Sequence, residues 1–150
     1  MKISIIGGGF MGEAILKGMI NSEQFDNKDI SVIEIDKNKR ANLAKYNIET
    51  FDDYSQIMNA QIILVAVKPQ QIKELLNEIK KEISKSALII SIAAGTSIKS
   101  IKTILNQQSV IRVMPNLLAE IGYGASVFTI SEDVSQEEIN NTKKILNSFS

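Results

Sequence analysis

The first residues in this chain whose types and spacing suggest chemistry are Gly7, Gly9 and Gly12, which satisfy G-x-G-x-x-G within GGGFMG. They follow an apolar run directly and precede a helical stretch containing Ala14, Ile15, Gly18 and Met19. In that setting Gly7 permits a tight strand-to-helix turn. Gly9 lets the backbone approach a pyrophosphate with no side chain in the way, and Gly12 lets helix and strand pack closely. The N–H groups at the helix start, together with the positive end of its dipole, then hold the phosphates. The plainer alternative is a glycine turn that binds nothing, and the strand-turn-helix context argues against it. No Gly-Lys-Ser/Thr follows, which excludes a P-loop.

The second apolar run, ISVIEID, ends in acids. A carboxylate at this place accepts hydrogen bonds from an adenosine ribose. Glu34 and Asp36 both lie near the expected interval of about 20 residues past the glycine turn, and Glu34 is favoured because a strand beginning at Ile30 ends about there. A carboxylate facing the ribose repels a 2′-phosphate, which favours NAD. Lys37, Lys39 and Arg40 stand close enough to favour NADP instead, although for at least two of them a solvated place at a helix start is the better reading. The residues leave NAD or NADP open.

Three more segments end apolar runs with small or turn-forming residues: AVKPQ (Ala66 to Gln70), SIAAG (Ser91 to Gly95) and RVMPN (Arg112 to Asn116). In an open α/β sheet that edge is where ligands bind, so ribose, nicotinamide or substrate could approach the backbone there. Taken singly, each reads better as an ordinary strand-end turn. The chain has no histidine and no cysteine. That removes the commonest general acid or base and every Ser-His or Cys-His arrangement, as well as thiolate zinc sites and disulfides. No metal site is expected.

The elements that must position these residues alternate. Runs rich in Ile and Val at Ile3 to Ile6, Ile30 to Ile35, Ile62 to Val67, Leu88 to Ile92 and Val110 to Val113 read as strands buried on both faces. Between them, Pro69 opens a helix with a stripe of Ile72, Leu75, Leu76, Ile79 and Ile83. Ile98, Ile101, Ile104 and Leu105 form a second stripe behind Ser97 as cap. Ser135 and Glu138 make a capping box ahead of Ile139, Ile145, Leu146 and Phe149. Gly124 to Ile130 is one more strand of unassigned direction. Such alternation predicts an α/β fold with a doubly wound, mostly parallel sheet and helices on both faces.

A length of 150 residues at 44% hydrophobic content suits one domain. Lys plus Arg and Asp plus Glu both number 17. Their interspersed signs argue against nucleic acid and against an anionic membrane surface as partners. The apolar stretch at the N-terminus is too short for a signal peptide or membrane span, so a cytoplasmic location is expected.

Taken together, GGGFMGEAI, AVKPQ, SIAAG and RVMPN resemble, in order and spacing, the N-terminal half of pyrroline-5-carboxylate reductase. The resemblance implies a Rossmann domain across residues 1–150, with the family's C-terminal helical dimerisation domain beyond this chain. It implies NAD(P)H-dependent reduction of the cyclic imine 1-pyrroline-5-carboxylate to L-proline, the last step of proline biosynthesis, by an enzyme that is homo-oligomeric at full length. It also implies that Gly7, Gly9, Phe10, Met11 and Gly12 hold the pyrophosphate. Val67, Lys68 and Pro69 would line the nicotinamide side with Ala93, Ala94 and Gly95 nearby, and Pro115 and Asn116 would border the meeting point with substrate. Lys68 is the one candidate for a charged role; a solvated lysine valued for its backbone is the alternative. The fragment alone is expected to be weak or inactive. A β-hydroxyacid-type dehydrogenase domain and a non-catalytic dinucleotide-binding module are the competing readings.

Overall fold

The structure, a computed structural model, describes residues 1–106, 108–115 and 126–149. The apolar runs form strands β1 (Ile3–Ile6), β2 (Ile30–Ile33), β4 (Ile62–Val65) and β5 (Leu88–Ser91), joined by a short β3 (Glu49–Phe51), a longer β6 (Ser109–Pro115) and β7 (Ser126–Ile130). All seven lie in one sheet in the order β3-β2-β1-β4-β5-β6-β7. Every pair is parallel except β6 with β7, which is antiparallel.

Among the described residues five α-helices cover the sheet: α1 (Phe10–Asn21), α2 (Lys37–Leu43), α3 (Ile72–Ile79), α4 (Ile98–Ile104) and α5 (Gln136–Asn147). Alternation along each strand splits the core in two. On one face Ile3, Ile5, Ile30 and Val32 pack with Ile15, Leu16 and Met19 of α1, Leu43 of α2, and Ile145, Leu146 and Phe149 at the end of α5. On the other, Ile6, Ile33, Ile63 and Val65 pack with Ile72, Leu75, Leu76 and Ile79 of α3 and with Ile101 of α4. Strands covered on both sides have no polar face to show, which is why their sequences read as unbroken apolar runs. Each such side chain taken out of water contributes about 1.5–3 kcal/mol. The expected α/β class, doubly wound and mostly parallel, is the fold observed.

Several boundaries differ from the sequence reading, each for a local reason. β2 stops at Ile33 instead of Ile35 because Ile35 is exposed and Asp36 turns to cap α2, accepting from the N–H groups of Asn38 and Lys39 at 2.8 and 3.0 Å. β4 stops at Val65 instead of Val67, since the chain must leave the ladder before Pro69, and Lys68 is extended as a pre-proline residue must be. β5 ends at Ser91, one residue short of Ile92. β6 runs past Val113 to Pro115, where β7 pairs alongside it with Pro115 opposite Ser126. β7 covers the described part of the segment whose direction was open. β3 has no counterpart in the sequence reading, because three residues, two of them polar, leave no periodic trace. Ile145, Leu146 and Phe149 are buried against the sheet.

Candidate functional site

β1 lies between β2 and β4, so the chain winds outward in both directions from the β1/β4 junction. At that reversal the connections leave the carboxyl ends of neighbouring strands toward opposite faces, and a crevice opens. The glycine turn sits there. Gly7 takes φ +103°, and a Cβ on it would lie 2.5 Å from the Ala66 carbonyl oxygen. A Cβ on Gly12 would lie only 1.9 Å from the Gly7 carbonyl oxygen, so the first turn of α1 rests directly on the end of β1. Gly9 is the contrast: a Cβ there meets no atom within 4 Å. The turn is thus closed on the side of the sheet and open where α1 begins.

The start of α1 has no side-chain cap, with Gly9 in the N-cap position. The starts of α2, α4 and α5 are capped by Asp36, Ser97 and the Ser135/Glu138 box. The first N–H groups of any α-helix lack intrahelical partners. At α1 those groups belong to a 12-residue helix whose Phe10 is 59% exposed. Met11 is half-buried against the core cluster of that face.

Glu34 lies just past β2 and is buried. Its Oε2 accepts the Gly8 N–H at 2.7 Å and its Oε1 accepts the Asp36 N–H at 2.9 Å, so one carboxylate ties the glycine turn to the end of β2. Its backbone N–H donates to the Phe51 carbonyl of β3 at 2.9 Å. Arg40 holds the same corner from α2, its Nη1 donating to the carbonyl oxygens of Glu34 at 2.8 Å and Ile35 at 2.9 Å. Its Nη2 stands 3.9 Å from Asp52. The backbone N–H of Lys39 above all holds the Asp36 carboxyl below its usual range; desolvation opposes it, and the Asn38 N–H and the charges of Lys39 and Arg40 add to the lowering. Behind α1, Glu13 accepts from the Tyr46 hydroxyl at 2.8 Å and pairs with Lys45 at 3.2 Å, fastening α1 to the segment after α2.

The structure brings Gly7, Gly9, Phe10, Met11, Gly12 and Glu34 to one corner, with the backbone before Val67 against Gly7. Val67 is half-buried, and its Cγ1 would stand 3.2 Å from a Cβ on Gly7. Lys68 and Pro69 are exposed. Ala93 is buried, with its N–H on the Ser91 hydroxyl at 3.4 Å, while Ala94 and Gly95 are exposed at the same edge, Gly95 with φ +70°. Pro115 is half-buried at the end of β6; Asn116 lies outside the described residues. Among the described residues no side-chain hydrogen bond is found from the β5 and β6 ends to the glycine turn, so the candidate site is an edge several strands wide. Two hollows among the described residues lie away from this edge. One of about 330 Å³ lies between α3 and α4, and one of about 390 Å³ lies at the opposite edge of β1 to β3. A long ligand laid across strand ends needs an open edge instead of a closed chamber. Among the described residues no cluster of three or more acidic side chains is placed to hold a metal ion, and no helix is long and apolar enough to cross a membrane.

Gly8 is the site residue that sequence reasoning missed. It occupies an unspecified place in the glycine pattern; its N–H donates to Glu34, and a Cβ on it would lie 2.7 Å from Leu43 Cδ1.

Comparison with known proteins agrees with this fold. The family model described as NADP oxidoreductase, coenzyme F420-dependent, matches residues 2–95. The chain is 28% identical over 139 residues to a pyrroline-5-carboxylate reductase of Arabidopsis thaliana, covering 91% of this chain and 50% of that protein. It is 31% identical over 147 residues to one of Methanosarcina acetivorans, covering 96% and 54%. Among solved structures, a pyrroline-5-carboxylate reductase from Coxiella burnetii superposes with a TM-score of 0.94 at 30% identity, over 99% of this chain and 56% of that one. The chain spans about half the length of the relatives it matches.

Proposed function

This chain belongs to the NADP oxidoreductase, coenzyme F420-dependent, family, and from that premise we propose that it is the dinucleotide-holding half of a pyrroline-5-carboxylate reductase. One observation carries the cofactor reading: a glycine turn at the strand-order reversal that is packed shut toward β1 yet open, with an uncapped helix start, where a phosphate would sit. In this reading residues 1–150 are one NAD(P)-binding domain, and the relatives' further half completes the substrate site.

The residues present fit such a group. The N–H groups of Phe10, Met11 and Gly12 would take the pyrophosphate, with Gly9 leaving room for it. Glu34 would accept from the ribose while bracing the turn through Gly8. Val67 to Pro69 and Ala93 to Gly95 would line the nicotinamide end, and Pro115 would border the meeting point with substrate. The cofactor supplies a hydride, which with one proton reduces a C=N bond to CH–NH. A protonated imine is already an activated acceptor, so the protein's task is chiefly to hold the two reactants together. Proximity of that kind is worth up to roughly 7–11 kcal/mol. That task suits a chain without histidine. Lys68, exposed at the start of the turn before α3, is the candidate charged side chain on that edge.

Calorimetric titration of the chain with NADPH and NADH tests the reading, with Gly9→Asp as control. Micromolar binding of either, lost in the variant, is the expected result. Absence of binding by both, in a protein shown to be folded, refutes it.

A further inference from the structure

We propose that this chain takes NAD(H) in preference to NADP(H), and that Glu34 is the residue that sets the preference. The inference rests on the dinucleotide reading above and departs from the coenzyme in the family's description.

An adenosine ribose is one phosphoester link from the pyrophosphate. Phosphates anchored at the start of α1 therefore bring its 2′ position to the end of β2, where the buried Glu34 carboxylate lies 2.7 Å from the Gly8 nitrogen. Each carboxylate oxygen has one backbone N–H and keeps a free lone pair for a ribose hydroxyl. A 2′-phosphate would set a dianion against that fixed negative charge. The carboxylate cannot swing aside without giving up both N–H groups, and burial shields it from screening.

The neighbouring cations do not offset it. Arg40, the one planar donor suited to a phosphate, spends its Nη1 on the carbonyl oxygens of Glu34 and Ile35 and faces Asp52 with Nη2. Lys37 and Lys39 are exposed on the first turn of α2, where salt screens them. Asp36 adds a second carboxylate beside them.

The test is the ratio of NADPH to NADH dissociation constants for the unaltered chain, for Glu34→Gln and for Asp36→Ser, which keeps a helix-capping oxygen, with each fold checked by circular dichroism. NADH should bind on the order of tenfold more tightly to the unaltered chain, a discounted reading of the repulsion between charges a few ångströms apart. Glu34→Gln should narrow that ratio severalfold while Asp36→Ser leaves it largely in place. NADPH binding as tightly as NADH to the unaltered chain overturns the preference and leaves the dinucleotide reading standing. An unchanged ratio in folded Glu34→Gln, or a collapse of the ratio in Asp36→Ser, overturns the assignment to Glu34. Binding of neither nucleotide removes both readings. If Glu34→Gln does not fold, the unaltered chain and Asp36→Ser still decide.

Discussion

Alanine at Gly12 and alanine at Gly9 should have opposite consequences, although the two glycines belong to one motif. At Gly12 the added methyl would stand 1.9 Å from the Gly7 carbonyl oxygen, whereas real Cβ contacts essentially never fall below 3.0 Å. Both sides of the clash are backbone, so no rotamer change relieves it, and α1 must move by about 1 Å. That helix carries Ile15, Leu16 and Met19, all fully buried. Overpacking of a tight interior costs about 1–3 kcal/mol, and a backbone clash belongs at the top of that range. Better helix propensity returns at most about 1 kcal/mol. The net loss is therefore about 2 kcal/mol or more, which for a chain this size lowers Tm by about 4–8 °C. Gly9 is different: its φ of −77° suits any residue and a methyl meets nothing. Its alanine variant should stay within about 1 kcal/mol of the parent, yet weaken dinucleotide binding by filling the space at the helix start. Urea and thermal unfolding followed by far-ultraviolet circular dichroism, with nucleotide titration alongside, measure both. Equal stability of the two variants would refute the packing argument, and unimpaired nucleotide binding by Gly9→Ala would refute the placement of the phosphate.

The same structure makes three further predictions. Phe149→Ala should destabilise by about 3–5 kcal/mol in urea unfolding, because the ring is buried with Ile145 and Leu146 on the face that α1 covers. Arg40→Ala should cost about 1–2 kcal/mol by removing charged donors from the Glu34 and Ile35 carbonyls, and Arg40→Lys should not restore it, since an ammonium lacks the planar fork. Stability should vary little between about pH 5.5 and 8, where no histidine titrates, and fall in acid. Burial pushes the Glu13 carboxyl upward, but the Tyr46 hydroxyl and Lys45 outweigh it, so its pKa is lowered on balance; Asp36 and Asp53 are lowered by hydrogen bonds. A depressed carboxylate contributes stability that is present above its unfolded pKa, about 4, and lost as pH falls through the folded value, so Tm should drop below about pH 4. A Tm already declining between pH 7 and 5.5 would contradict this assignment.

What could be read from the sequence, and what could not, follows from where the information sits. Apolar runs such as Ile62–Val65 and the stripe Ile72, Leu75, Leu76, Ile79 state their burial in residue type, so the layers of the fold were legible. Strand ends were not, because they depend on single competing bonds: Asp36 capping α2 shortens β2, and Pro69 forces the chain out of the ladder after β4. β3 forms where Ser31 to Ile33 of β2 offer an edge for Glu49 to Phe51 to pair with, and pairing leaves no mark on a segment that short.

The candidate site divides the same way. Gly7 and Gly12 were legible because a missing side chain is itself the signal of close approach. The groups that would hold a ligand are largely backbone N–H, which every residue but proline carries, so Phe10 and Met11 entered only through family resemblance. Glu34 was legible as an acid at the right interval, but its hold on the Gly8 and Asp36 N–H groups was not. That hold changes its meaning, because a mobile carboxylate could turn away from a 2′-phosphate, whereas one that braces the glycine turn cannot do so without loosening the phosphate cradle. Coenzyme choice and the integrity of the turn are therefore coupled at Glu34. A variant that accepts NADPH by moving this side chain should also bind NADH less tightly, and one that gained NADPH at no cost to NADH would show that the brace and the selector are separate.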